Sequence, residues 1–256
     1  MDLNTSKSLI VIPARMDSSR LLGKPLAVVN GRPLIEWTYR RAKETNADYV
    51  WVVTPDREIG RFCQDKCIPW RPSNEDHPTG THRCAEFLKQ MMLGFAAPDI
   101  DVVVNWQCDE PLVEPIYVNE LIGDVRRFVP DKIQTLAVSM PCVDLPNDPN
   151  QVKVTVSRRK RCMWFSRYHI SHVAHCGIYG YSPAILEKLG QLEVSFNSRH
   201  ESLEQLSWIE EGFEIQAITM DELPLSINAP DDLKKFEAYL EDLETFKSEQ
   251  GERDED

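Results

Sequence analysis

Three cationic side chains follow the first apolar segment of the chain at close spacing. Arg15, Arg20 and Lys24 come soon after residues 9–12, and serines and a glycine lie between them. Guanidinium groups pair bidentately with phosphate oxygens, and a lysine adds a compact positive charge. Because open α/β sheets bind ligands at the carboxyl ends of their strands, we expect this loop to hold a polyphosphate.

An acidic segment follows a second apolar segment, residues 101–106, and contains Asp109 beside a glutamate. Acidic side chains at the end of a buried strand are costly without a partner, and a divalent cation is one such partner. A capped turn before the helix that Pro115 begins would explain the same residues. Since magnesium commonly binds one or two carboxylates together with phosphate oxygens, the cationic loop favours Asp109 as a metal ligand.

The hydrophobic pattern predicts one α/β domain over residues 1–243, with a mixed, mostly parallel central sheet and flanking helices. Alternation in the middle of the chain adds a small β-rich excursion. The acidic tail, residues 244–256, is predicted to be disordered. The predicted strands are 9–12, 49–54, 101–106, 133–140, 152–156, 162–165, 175–181 and 213–219. A helix is predicted to begin at Pro33, and the other predicted helices are 57–66, 81–94, 115–128, 199–211 and 230–243.

Composition limits the class of partner. The net charge is −12, so the chain has no basic surplus with which to release counterions from nucleic acid, and we expect no nucleic-acid partner. A small anionic ligand in a local basic pocket fits better. The sequence has no apolar segment long enough for a bilayer and no leader pattern at its beginning, so we expect no membrane insertion and a cytoplasmic protein.

Seven motifs in a fixed order resemble the 3-deoxy-manno-octulosonate (Kdo) cytidylyltransferase family, also called CMP-Kdo synthetases, and identify the chain as a divergent member. The resemblance covers residues 9–243 and implies a fold like that of the nucleotide-diphospho-sugar transferases. It also implies transfer of CMP from CTP to a 2-keto-3-deoxy sugar acid with magnesium, release of pyrophosphate, and a homodimer. The motifs are residues 11–26, 79–81, 105–111, 165–167, 175–181, 201–206 and 228–233.

The resemblance implies that the cationic loop and the turn at residues 79–81 together hold CTP. A small-residue turn before a helix can offer backbone N–H groups to a phosphate or a base, although an ordinary helix cap has the same residues. Arg15, Lys24 and Asp109 would be the catalytic residues. The nucleotide-binding residues would be Pro13, Ala14, Arg15, Ser18, Arg20, Lys24, Thr79, Gly80, Thr81 and Arg83.

The resemblance also implies a sugar-acid pocket and a magnesium site beside the nucleotide. Magnesium would bind Asp109, and a second magnesium position would fall at Asn228. The substrate-binding residues would be Gln107, Arg167, His175, Tyr179, Glu204 and Gln205.

Three residues depart from the family pattern at ligand positions. Asn228 stands where the family has an aspartate, and a neutral amide is a weaker ligand for a hard dication, which puts the second magnesium in doubt. His82 replaces an aspartate in the turn. Cys108 replaces a glycine before Asp109, so a positive φ at this position would imply strain or a reshaped loop.

Two other functions fit the same motifs. The chain could be a catalytically impaired homologue that binds CTP or a CMP-sugar as a regulatory or structural subunit. It could also be a nucleotidyltransferase with an altered nucleotide or sugar, such as amino-Kdo. The retained Arg15, Arg20, Lys24 and Asp109 favour an active enzyme, whereas Asn228 favours the alternatives.

Overall fold

The computed structural model describes residues 6–18, 20–74, 76–93, 98–128, 131–140 and 148–251. The strands are β1 (Lys7–Pro13), β2 (Val28–Val29), β3 (Arg32–Pro33), β4 (Tyr49–Thr54), β5 (Trp70–Pro72), β6 (Ile100–Trp106), β7 (Ile133–Ser139), β8 (Lys153–Val156), β9 (Arg161–Ser166), β10 (Val173–Tyr181) and β11 (Ile215–Met220). The helices are α1 (Leu34–Lys43), α2 (Arg57–Asp65), α3 (Gly80–Met92), α4 (Pro115–Phe128), α5 (Pro183–Leu189), α6 (Phe196–Glu201), α7 (Glu204–Glu210) and α8 (Pro230–Gly251).

Nine strands form one mixed sheet in the order β5-β4-β1-β6-β10-β7-β11-β9-β8. The pairings β5–β4, β4–β1, β1–β6 and β7–β11 are parallel, and the others are antiparallel. Followed across the sheet, seven strands therefore run in one direction and β9 and β10 in the other. This arrangement confirms the prediction of a mixed, mostly parallel sheet.

The predicted β-rich excursion is the hairpin of β8 and β9. In addition to its pairing with β9, β8 contacts β10, where Lys153 lies opposite Ala174. Strands β10, β7, β11, β9 and β8 therefore close into a ring at one end of the sheet. The sequence predicts the two strands of this excursion, over residues 152–156 and 162–165, but not the closure, because the closure depends on pairing between distant segments.

Helices cover both faces of the sheet, which explains why its central strands are continuous apolar segments. In β1, Ile10 and Ile12 pack in a core with α1, α2, α4 and α8. Leu9 and Val11 point to the other face and pack in a core with α3, α5 and α7. Within the described part of the chain, no helix is long and apolar enough to cross a membrane.

Two predicted helices have different limits in the structure. The helix predicted over residues 199–211 is two helices, α6 and α7, because Ser202 adopts a left-handed conformation with φ 54° and ends the first. Helix α8 continues to Gly251, although residues from 244 onward are predicted to be disordered. The Glu and Lys residues of that segment are good helix formers, which explains the continuation. The predicted helix end at residue 94 and the last five residues, 252–256, lie outside the described residues.

Candidate active site

A cavity of about 710 Å³ lies where β1 and β6 end. These strands are parallel neighbours, so the loops that follow them meet at the same edge of the sheet. The N-terminus of α3, the middle of β10 and the α6–α7 junction complete the wall. The cavity contacts the following predicted residues: Pro13, Ala14, Arg15, Ser18, Arg20, Lys24, Thr79, Gly80, Gln107, Asp109, Arg167, His175, Tyr179, Glu204, Gln205 and Asn228.

Thr81 and Arg83 lie behind the cavity wall, in contrast to their predicted contact with the nucleotide. The Thr81 hydroxyl is buried, where it accepts from Asn105 Nδ2 at 3.2 Å and contacts the Tyr181 hydroxyl at 3.1 Å. Arg83 is also buried and donates from Nε to Ser73 Oγ at 2.7 Å. Both side chains point inward from the first turn of α3, so they support the turn instead of lining the cavity.

The cationic loop is fixed at several points before any ligand binds. Ala14 donates its backbone N–H to the carbonyl of Val53 at 3.0 Å, and Met16 donates to Asp56 Oδ2 at 2.8 Å. Gly23 has φ 69°, a conformation that glycine adopts without strain, and its N–H closes the loop on the carbonyl of Met16 at 3.0 Å. The loop is therefore a preformed frame for its cations.

Lys24 and Asp109 form an ion pair inside the cavity. Lys24 Nζ lies 2.7 Å from Asp109 Oδ2 and 3.1 Å from the carbonyl oxygen of Ile227. The two side chains are 12% and 25% exposed. The backbone N–H of Ile227 also donates to the carbonyl of Asp109 at 2.9 Å, so the segment that carries Asn228 is held beside Asp109.

Glu110 is a buried carboxyl group that the sequence motif contains but that has no predicted role. Its Oε2 accepts from Ser226 Oγ at 2.7 Å, and its Oε1 accepts from the backbone N–H of Gly177 at 3.3 Å. Burial, followed by the negative charge of Asp109, raises the pKa of Glu110 to about 7. Glu110 thus joins three segments of the cavity wall.

His175 is a buried, neutral histidine in the wall. It is 5% exposed, and burial lowers its pKa from 6.5 to about 3. Thr135 Oγ1 lies 2.9 Å from His175 Nε2 and donates to the carbonyl of Ile178 at 2.9 Å. Because that hydroxyl proton is committed to the carbonyl, Nε2 carries the imidazole proton and donates to Thr135.

The buried ring of His175 makes the stability of the protein sensitive to acid. The folded state binds fewer protons than the unfolded state between pH 6.5 and pH 3, so the stabilisation is complete above pH 6.5 and is lost as the pH falls. We expect His175 to contribute a loss of up to about 1.4 kcal/mol in the free energy of unfolding per pH unit. Urea unfolding at pH 4 to 7 measures this slope.

A His175→Gln variant keeps an N–H donor but cannot titrate, so its free energy of unfolding should depend less steeply on pH. His200→Gln on exposed α6 is the matched control and should keep the slope of the unchanged protein. Equal slopes for His175→Gln and the unchanged protein would show that another group causes the acid sensitivity.

Glu204 lies at the N-terminus of α7 and faces the turn before α3. Its Oε2 accepts from the backbone N–H of Thr81 at 3.2 Å, and its Oε1 accepts from Gln107 Nε2 at 3.4 Å. Burial raises the pKa of the Glu204 carboxyl. The arrangement brings together Gln107 and Glu204, two of the predicted substrate-binding residues, and presents amide and carboxyl groups that can bind hydroxyl groups.

Arg167 lines the cavity but directs three donors to backbone carbonyls. Nε donates to the carbonyl of Glu201 at 2.7 Å, Nη1 to that of Pro149 at 3.0 Å and Nη2 to that of Ser202 at 3.3 Å. Burial, followed by the positive charge of Arg20, lowers its pKa. Arg167 therefore fixes the α6–α7 junction and keeps two N–H groups for a ligand.

Cys108 and His82, two of the departures from the family pattern, fit the structure without strain at Cys108 and with hydrogen-bond partners at His82. Cys108 has an ordinary φ, since the positive φ values of non-glycine residues in the described chain lie elsewhere, and so it introduces no backbone strain. His82 Nε2 donates to the carbonyl of Leu192 at 2.9 Å, and Nδ1 lies 2.8 Å from Thr79 Oγ1. His82 thereby ties the turn before α3 to the segment between α5 and α6.

Several cavity residues were not predicted from the sequence. Arg20 donates to Asn150 Oδ1, which draws the segment before β8 to the side of the cavity that the cationic loop lines. Asp17 lies within the cationic loop itself, between Arg15 and Ser18. The others belong to no phosphate or metal motif, and the folding of distant segments brings them to the cavity. They include Asn150, Gln151, Ser198, Arg199 and Ser226.

The sequence of this chain is similar to those of cytidylyltransferases. A sequence profile described as cytidylyltransferase matches residues 9–215. The 3-deoxy-manno-octulosonate cytidylyltransferase of Polynucleobacter necessarius is 35% identical over 245 residues, covering 91% of this chain and 95% of its own length. The enzyme of the same name from Halorhodospira halophila is 36% identical over 259 residues, covering 93% and 99%.

Solved structures agree with the sequence comparisons. A CMP:2-keto-3-deoxy-manno-octonic acid synthetase complexed with CTP superposes with a TM-score of 0.81 at 31% identity, covering 93% of this chain and 99% of that one. A glucose-1-phosphate thymidylyltransferase from Bacillus anthracis, at 15% identity and a TM-score of 0.63, shares the fold alone, which confirms the predicted fold class. The chain belongs to the 3-deoxy-manno-octulosonate cytidylyltransferase family.

Proposed function

We propose that the protein transfers CMP from CTP to a 2-keto-3-deoxy sugar acid, with Kdo as the first candidate, and releases pyrophosphate in the cytoplasm. The observation that carries the proposal is that the cationic loop faces Asp109 across one cavity, with Lys24 Nζ 2.7 Å from Asp109 Oδ2. Relatives that are named for that activity align with this chain over almost their whole length.

The charges of the cavity suit a reaction between two anions. A triphosphate and a sugar carboxylate repel each other, so Arg15, Arg20 and Lys24 must neutralise charge before the two come close. The anomeric hydroxyl then attacks the α-phosphorus in line, the bond to the bridging oxygen breaks, and pyrophosphate leaves while the hydroxyl proton passes to water. Positioning and charge stabilisation account for such a phosphoryl transfer without a covalent intermediate.

The other side of the cavity suits the sugar acid. Gln107 and Glu204 offer amide and carboxyl groups, and Tyr179 and neutral His175 form an aromatic wall with ring centroids 5.5 Å apart. The two uncommitted N–H groups of Arg167 are available for the sugar carboxylate. We propose that Gln205, which lines the cavity next to Glu204, contacts the same substrate.

The donor set fits one magnesium ion that is shared with the nucleotide. In the part of the chain that the structure describes, no group of three or more His, Cys, Asp or Glu could hold a metal by itself. Asp109 is a carboxylate in the cavity, and Asn228 adds an amide oxygen. Magnesium bound to Asp109 and to phosphate oxygens would supply positive charge against the leaving pyrophosphate.

A catalytically silent homologue is the main alternative, and Asn228 is the residue that favours it. We propose the active enzyme because Arg15, Arg20, Lys24 and Asp109 all face the cavity. Release of pyrophosphate from each of the four nucleoside triphosphates with Mg²⁺, against Kdo, amino-Kdo and a nonulosonate, separates the alternatives. We expect turnover with CTP; binding of CTP without turnover of any pair would favour the silent homologue.

We further propose that the protein is a homodimer, as the family resemblance implies. Strand β9 and the segment after it expose Met163, Trp164, Tyr168 and Ile170 to solvent, with Met163 52% exposed. Large apolar side chains that are exposed along one segment are candidates for a protein interface. We therefore propose that these four residues contribute to the dimer interface.

Size-exclusion chromatography with light scattering tests the dimer. We expect a dimer at micromolar concentration that a Trp164→Glu substitution converts to a monomer, because a charge would be buried in the interface. Ile116→Glu on the surface of α4 is the matched control and should remain dimeric. A monomeric unchanged protein would contradict the proposal.

A further inference from the structure

We propose that Lys24 is the built-in counter-ion of Asp109 and makes the binding of a divalent cation at Asp109 dependent on the triphosphate. This inference rests on the proposed function, because it states that the nucleotide must bind before or together with the metal ion at that site. It concerns the protein before the nucleotide binds, when the Lys24 ammonium contacts two oxygen atoms: Asp109 Oδ2 at 2.7 Å and the Ile227 carbonyl at 3.1 Å.

The Lys24 ammonium lies between two oxygen atoms, in a position that would also suit a metal cation. A carboxylate oxygen and a backbone carbonyl oxygen are ligands that hard metal ions use, and here Lys24 takes both. The hydrogen bond from Ile227 N–H to the Asp109 carbonyl, at 2.9 Å, holds these two segments together independently of Lys24. The oxygen pair is thus preformed, and the lysine neutralises it.

The groups next to Asp109 add little negative charge that could attract a metal ion. Glu110 is adjacent in sequence, but its two oxygens already accept from Ser226 Oγ and from the Gly177 N–H. Asn228 follows Ile227 and carries no charge. A dication that approaches Asp109 therefore meets an ion pair in which the negative charge is already balanced, and it must compete with an ammonium ion.

A triphosphate changes this balance. Its oxygens offer Lys24 a more negative partner, and the long, flexible lysine stem allows the ammonium to leave Asp109 without movement of the backbone. Asp109 then becomes available to the metal that accompanies the phosphates. Because coupling between two ligands is reciprocal, the metal should strengthen nucleotide binding by the same factor.

The test is a titration of the nucleotide-free protein with Mn²⁺, in which electron paramagnetic resonance measures free Mn²⁺. We expect weak binding to the unchanged protein and, for Lys24→Met, binding stronger by on the order of tenfold, because the competing ammonium is removed. The same variant should bind CTP more weakly. Lys7→Met is the matched control, since Lys7 forms a surface pair with Asp48 at 2.9 Å, and it should change neither affinity.

A second measurement needs no variant: the relaxation rate of water protons is recorded in solutions of the protein and Mn²⁺, with and without CTP. We expect a ternary complex of protein, Mn²⁺ and CTP at concentrations where Mn²⁺ alone does not bind. Equally strong Mn²⁺ binding with and without CTP would overturn the inference, as would unchanged or weaker Mn²⁺ binding by Lys24→Met. Either result would leave the proposed transferase activity standing if CTP is still turned over, so the two failures are distinguishable.

Discussion

Asp109→Asn should lower metal-dependent turnover by roughly two to three orders of magnitude. Asp109 is the carboxylate that faces the cationic loop, and an amide of the same shape removes its charge while it keeps an oxygen near Lys24. The loss should appear mainly in kcat, because stabilisation of the leaving group acts in the transition state. Steady-state release of pyrophosphate from CTP and Kdo measures it.

Asp101→Asn is the control for this substitution. Asp101 pairs with Arg126 at 2.8 Å on the protein surface, so its loss removes a carboxylate from an ion pair of similar length outside the cavity. We expect unchanged turnover for this variant. Full activity of Asp109→Asn would instead show that the metal site lies elsewhere in the cavity.

Gly180→Ala should give the largest loss of stability among the Gly→Ala substitutions at the glycines that the structure describes. A Cβ at Gly180 would lie 2.1 Å from Leu121 Cδ2 and 3.2 Å from Val125 Cγ2, and both side chains belong to the core under α4. Overpacking of this kind costs about 3 kcal/mol, since the helix must shift away from β10. Equilibrium unfolding in urea measures the loss.

Gly123→Ala adds the same methyl group within α4, the helix that Gly180 of β10 faces, and serves as the control. A Cβ at Gly123 would have no atom within 4 Å among the described residues, so nothing opposes it. The higher helix propensity of alanine should stabilise the protein by about 0.5 to 1 kcal/mol. Similar stabilities for the two variants would show that Leu121 and Val125 adjust freely.

The part of the fold that the sequence predicts is the part that local patterns determine. Continuous apolar segments mark β1, β4 and β6, because both faces of a parallel sheet are covered by helices. The left-handed Ser202 that divides α6 from α7 has no such signal, since serine rarely adopts that conformation. The contact of β8 with β10 likewise depends on distant pairing and is invisible in a local pattern.

In the candidate site, too, some residues can be predicted from local sequence patterns and others depend on the tertiary fold. Residues that follow a strand end, such as Arg15, Lys24 and Asp109, can be placed from the sequence because parallel strands end at one edge. Thr81 and Arg83 also carry a predicted nucleotide-binding role but point away from the cavity, since the direction of a side chain in the first helical turn depends on packing. Asn150 reaches Arg20 only through the tertiary fold.

The most direct test of the proposed transfer follows the α-phosphate of CTP. The protein is incubated with Mg²⁺, Kdo and CTP labelled with phosphorus-32 at the α-position, and the products are separated by anion-exchange chromatography. We predict that the label appears in a CMP-sugar and that unlabelled pyrophosphate forms in equal amount. Label that remains in CTP, or that appears in free CMP with no sugar conjugate from Kdo or any related sugar acid, would contradict the account.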